Sequence, residues 1–181
     1  MRDMREIKQE RWTSRVALST ALVAILAAIA TLYIGKFSSR TLLAQGQETD
    51  QWAYYQAKSI KQHTFALQKQ HLELELMVQQ EKLTQEMEER YRKVIADCEE
   101  NVQRYEKEKA EIKARAEELS RLKQHTQRRS GNFGYSLIFL QITIMLFSLS
   151  LITKRKPLWF LGILGALGGI FFFLNGFHLF L

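Results

Sequence analysis

Hydrophobic and polar positions fall into blocks along this chain. Residues 16–35, 133–152 and 158–181 contain no Asp, Glu, Lys or Arg. Each block is long enough to cross a bilayer, which takes about 20 apolar residues. Between the first two lies 36–132, rich in Glu, Gln, Lys and Arg, with no glycine or proline from 47 to 130. That composition favours helix. One straight helix of that length would extend about 126 Å at 1.5 Å per residue. Both its ends lead back to apolar stretches, so the segment is expected to double back as two long antiparallel arms.

The pattern therefore predicts an all-α membrane protein: three transmembrane helices, with a long extramembrane coiled-coil hairpin between the first and second. The divisions are a basic flank 1–15, spans 16–35, 133–152 and 158–181, a hairpin 36–132 and a short basic loop 153–157. Span 1 follows a basic flank and contains Ala28-Ile29-Ala30, as a cleavable signal would. Its apolar run continues through Ile34, which favours a retained anchor.

Spacing in the hairpin suggests its seam. Ile60, Leu67 and Leu74, with Thr64, His71 and Val78 between them, follow a heptad. Further on, Leu83, Met87, Tyr91, Val94, Cys98, Val102 and Tyr105 follow steps of four, four and three, an eleven-residue period. Tyr105, Ile112 and Leu119 return to sevens. The phase change puts the bend near 78–84. A competing site at 97–101 has the better turn residues. So polar a seam points to association between hairpins of several subunits.

The spans carry packing signals of their own. Ala17, Ala21, Ala24, Ala28, Thr31 and Gly35 form a small-residue stripe in span 1. In span 3, Gly162, Gly165, Gly169 and Gly176 lie at helical spacing among phenylalanines, a surface suited to the other spans or to another subunit. Gln141 lies nearest mid-depth in span 2, where an amide needs a partner across a helix or, less simply, lines a pore. No span holds a buried acid or base of the kind a proton relay requires. Trp12 suits a membrane interface, with its ring in apolar material and its N–H in water.

Charge locates the faces. The formal net charge of the 181 residues is +7. Residues 1–15, the long segment and Lys154-Arg155-Lys156 contribute +2, +2 and +3. This excess flanks the spans rather than forming a continuous basic face, so nucleic acid is not an expected partner. Basic flanks tend to stay inside. The N-terminus is therefore expected in the cytoplasm, with the hairpin and C-terminus in the periplasm.

Chemistry is thin. His71 and Glu75 could share a metal, but no third or fourth ligand accompanies them. Phosphate-cradling loops and nucleophile elbows are missing from the sequence. The single Cys98 excludes an intrachain disulfide, leaving a packing role or a bridge between subunits. Neither an enzyme nor a cofactor, metal or small-molecule substrate is expected.

The stretch Asp50-Gln51-Trp52-Ala53-Tyr54-Tyr55-Gln56-Ala57-Lys58-Ser59-Ile60-Lys61-Gln62-His63 is distinctive. With 133–141, Lys154-Arg155-Lys156-Pro157-Leu158-Trp159, Gly168-Gly169 and Asn175-Gly176, it resembles the bacterial domain of unknown function family 4337. The resemblance implies a bacterial membrane setting and no particular reaction. Trp52, Tyr55 and Ser59 are expected to begin a helix after a short loop from the membrane and to clasp the returning arm at 121–129, or lipid headgroups.

The function expected is that of a homo-oligomeric bacterial inner-membrane scaffold, partnered by the bilayer, its own copies and other envelope proteins. A channel or channel-modulating subunit and an envelope-stress sensor are the alternatives. The residues expected at packing or oligomer contacts are Trp52, Tyr55, Ser59, Leu67, Leu74, Leu83, Met87, Val94 and Tyr105, with the four span-3 glycines. Gln141 is expected between helices or along a pore.

Overall fold

In a computed structural model, residues 2–79 and 83–178 are described, with side chains from residue 9 onward. They form three helices: α1 (Arg2–Gln79), α2 (Gln85–Thr153) and α3 (Lys156–His178). No strand occurs among the described residues. All three helices are long and apolar enough to cross a membrane.

α1 does not pause after its apolar stretch. The loop expected before Trp52 is absent, because helix continues through Gly35 and Gly46. A lone glycine costs a helix only about 1 kcal/mol, too little to break one that packs on both sides of it. The chain turns instead between Gln79 and Gln85. This overlaps the expected bend at 78–84, of which 80–82 lie outside the described residues. The competing site at 97–101 is uninterrupted helix within α2. Thr84 opens α2: its hydroxyl accepts a bond from the Met87 amide at 3.4 Å, and Glu86 and Glu88 occupy the first turn. A hydroxyl cap and early carboxylates both satisfy the helix N-terminus.

The second turn is shorter than the expected basic loop. Only Lys154 and Arg155 are non-helical, while Lys156 and Pro157 already belong to α3. Proline suits a first helical turn, where its missing N–H would have had no partner. Lys154 takes φ 55°, the left-handed conformation that ends a helix. The Ser150 hydroxyl donates to the Arg155 carbonyl at 3.0 Å and ties the turn to α2.

The chain divides into two compact units. One comprises Met1–Leu42 and Leu122–Leu181, the other Leu43–Arg121. In the first, α1 and α2 run antiparallel. Ser38 bonds Ser130 at 2.9 Å, Thr41 donates to Thr126 at 2.9 Å, and Phe37 stacks on Phe133. α3 returns along α2, with Gly162 against Phe147 and Gly176 against Phe133.

In the second unit, α1 and α2 are again antiparallel. Gln62 donates to the Val102 carbonyl, Lys69 pairs with Glu99, and the Tyr91 hydroxyl reaches Glu75 at 3.4 Å. On α2 here a buried or half-buried stripe runs through Tyr91, Ile95, Cys98, Val102, Tyr105, Lys109, Ile112, Ala116 and Leu119. They alternate steps of four and three, a seven-residue period in place of the expected eleven.

Candidate functional site

Two constructions stand out, one in each unit. In the first unit, the glycines of α3 give α2 close access. A Cβ at Gly162 would lie 2.5 Å from the Phe147 ring, at Gly165 2.7 Å from the Thr143 hydroxyl, and at Gly169 2.7 Å from Leu140. The Ser136 hydroxyl donates to the Gly169 carbonyl at 2.8 Å. Of the two uses open to Gly162, Gly165, Gly169 and Gly176, the chain takes the intramolecular one. Such close approach gains dispersion contact between the helices.

At one end of this seam, four aromatic rings converge on Phe133, which is fully buried. Tyr33 stacks on it at 5.1 Å, Phe37 at 5.8 Å, and Phe173 and Phe177 meet it edge-on at 5.4 and 5.1 Å. The Arg129 guanidinium lies 5.5 Å above Phe37, and Lys36 lies 5.6 Å from Tyr33. Cations at a ring face are attracted by its quadrupole. The basic residues at this end of the apolar stretches are thus partly held by aromatic rings. Sequence reading named Phe133 only as the start of a span, because spacing within one helix does not show rings supplied by three.

The buried face of α2 in this unit is partly polar, with Ser136, Thr143 and Ser150 all inside. Gln141 is exposed, on the outside of the unit. The helix expected to face it is therefore not one packed within this unit. Inward polar positions go to short hydroxyls, which can bond a carbonyl of their own or an adjacent helix. Trp12 also differs from expectation: its Nε1 is buried, so the N–H is turned into the protein rather than toward water.

In the second unit, the seam on α1 is Tyr55, Lys58, Gln62, Phe65, Lys69, Leu72 and Leu76, all partly buried at steps of three and four. Ile60, Leu67 and Leu74, expected there, are 68 %, 52 % and 54 % exposed. On α2, Met87 and Val94 are also exposed, while Tyr105 and Cys98 are buried. The reason is chemical. Long lysine and glutamine side chains can lie along an interface on their alkyl stems and deliver their polar ends to its edge. Here they find carboxylates. Lys58 meets Glu108 at 2.6 Å, and Gln62 donates to Glu106 at 2.6 Å and is itself bonded by Lys109 at 2.7 Å. Lys58 also lies 5.2 Å from the ring centroids of both Tyr54 and Tyr105, and Tyr105 stacks on Phe65.

These contacts perturb titration in matched directions. The hydrogen bond from Lys58 holds Glu108 below the usual carboxylate range, and the same bond raises Lys58. Lys69 lowers Glu99 and is raised in return. Glu106 is lowered chiefly by its bond from Gln62.

Trp52 and Tyr55 do share a helix face, with rings 5.7 Å apart. Tyr55 lies under Lys109 rather than at the expected clasp to 121–129. Ser59 is half-buried, and Leu83 is half-buried just before α2. Cys98, 3 % exposed, is a packing residue of the seam. His71 and Glu75 approach to 3.3 Å. Among the described residues, no group of three or more His, Cys, Asp or Glu is placed to hold a metal ion. A shallow, open depression lies between the start of α1 and Lys154, lined by Gln9, Glu10, Thr13, Ser14, Ala17 and Lys154. It encloses nothing.

Fold and packing together define an all-helical protein with three potential membrane-spanning helices, built on helix seams. The chain belongs to the family described as Domain of unknown function (DUF4337), which it matches over residues 12–179. No curated protein and no solved structure matches it.

Proposed function

We propose that this protein is a homo-oligomeric structural protein of the bacterial inner membrane, whose helical hairpin serves self-association and the binding of other envelope proteins. The observation that carries this reading is the outward position of Gln141 in the apolar part of α2. An amide facing hydrocarbon is costly until another helix supplies a donor and acceptor, and that bond contributes about 1–2 kcal/mol. A second copy offers the same amide at the same depth. Basic residues 2–15 and Lys154-Arg155-Lys156 flank the spans on the side expected to be cytoplasmic, which leaves the hairpin on the other side.

The test is the native mass of the protein in mild detergent. Wild type is expected as an oligomer, and Gln141→Leu as a smaller species with the same helix content by circular dichroism. A single-chain mass for the wild type would overturn the reading. Conductance of the purified protein in planar bilayers, lost in Gln141→Leu, would replace the scaffold with a channel.

A further inference from the structure

The seam of the second unit leaves the opposite side of α1 uncovered, and that side is not what a water-facing helix normally presents. Ile60, Thr64, Leu67, His71, Leu74 and Val78 are all exposed. They are spaced by four and three, the same seven-residue period that the buried seam of α1 follows. In a two-helix supercoil, the side facing away from the seam is usually charged. The equivalent side of α2 obeys this rule, with Glu86, Lys93, Glu100 and Lys107 exposed at steps of seven. The two arms of one hairpin thus differ sharply: one outer face is charged at each seventh position, the other carries Ile60, Leu67 and Leu74.

We infer that this outer stripe of α1 is a second seam, occupied by the same stripe of another copy of the chain. The inference rests on the oligomeric reading above and names its contact surface. Its period matches that of a helix partner rather than of a flat surface, because only a helix following the same supercoil stays in register with a seven-residue repeat. The partner's identity follows from charge. α1 is one uninterrupted helix from Arg2 to Gln79, so copies inserted the same way carry it in the same direction. In such a parallel pair each stripe residue meets itself. A charged stripe would set like charges against each other, as Glu86, Lys93, Glu100 and Lys107 of α2 would. The α1 stripe brings Ile60, Leu67 and Leu74 together with no carboxylate, lysine or arginine among the six positions.

Cysteine cross-linking of the full chain in native membranes tests this directly. Cys98→Ala removes the native thiol. Single Ile60→Cys, Leu67→Cys and Leu74→Cys variants are then oxidised and compared with Lys93→Cys and Lys107→Cys. Each stripe variant is expected to give at least about five-fold more disulfide-linked dimer than either α2 control, as a shared supercoil seam requires. In parallel, Ile60, Leu67 and Leu74 all replaced by Lys are expected to reduce the native mass with helix content unchanged. Equal linking at stripe and control positions would overturn the surface. So would linking of Leu67→Cys with Ile60→Cys and Leu74→Cys unlinked, which marks antiparallel pairing, or linking only to a different protein. An unlinked stripe with oligomeric mass retained would remove this surface and leave the Gln141 reading standing. A single-chain wild-type mass would remove both.

Discussion

Glycine in this chain has two opposite roles, separated by a few ångströms of free space. At Gly46 nothing lies within 4 Å of where a Cβ would sit, and the residue is an ordinary helical position. Replacing it with alanine restricts the unfolded chain and costs no contact, so Gly46→Ala should stabilise by about 0.5–1 kcal/mol. At Gly176 the added carbon would lie 2.8 Å from the Phe133 ring, which Tyr33, Phe37, Phe173 and Phe177 prevent from moving aside. Gly176→Ala should therefore destabilise by about 1–3 kcal/mol, the usual cost of overpacking. Thermal unfolding of the two variants in one detergent measures both signs. Position in a helix does not distinguish these glycines. The difference comes from a ring on another helix, which the sequence around residue 176 does not announce.

Among the elements, the turn between α2 and α3 holds a local strain. Lys154 adopts φ 55°, which costs a residue with a Cβ about 1–2 kcal/mol relative to glycine. Lys154→Gly should raise the unfolding temperature, with Arg155 and Lys156 still supplying positive charge to the turn. An unchanged or lower temperature would show that the lysine side chain compensates for its backbone. The helices themselves were largely legible. Apolar length marked all three, and the break between Gln79 and Gln85 overlaps the expected bend. The faces of the helices were less legible. Following only apolar residues selected Ile60, Leu67 and Leu74 for the seam of α1, whereas Tyr55, Gln62 and Lys69 occupy it. Those three residues are themselves seven apart. A search that admitted lysine and glutamine as stems would have found two competing stripes, with nothing in α1 alone to rank them.

Across the whole molecule, the two units are held by different physics and should respond differently to pH. The Leu43–Arg121 unit is joined by Lys58–Glu108, Lys69–Glu99 and Gln62–Glu106. The three carboxyls are lowered, so their contribution is complete above the unfolded value of about 4.3 and fades as pH falls through the lower folded values. Lys58 and Lys69 are raised, so theirs is complete below about 10.4 and fades as pH rises beyond the folded values. Hydrogen exchange in this unit should be flat between about pH 5 and pH 10 after correction for intrinsic rates, and protection should drop at both extremes. The unit of Met1–Leu42 and Leu122–Leu181, packed through aromatic rings and glycines, should keep its protection at low pH. Equal loss in both units would contradict this division.

By itself, the sequence determined that the chain is helical, where its three apolar helices lie and roughly where the long segment turns. These follow from composition, length and the lack of glycine and proline, all properties of neighbouring residues. Only the tertiary structure decided which stripe of each helix is buried, that the span-3 glycines serve α2 and that Gln141 points outward. Those outcomes depend on what the opposite helix supplies: a carboxylate for a lysine, or a ring for a glycine.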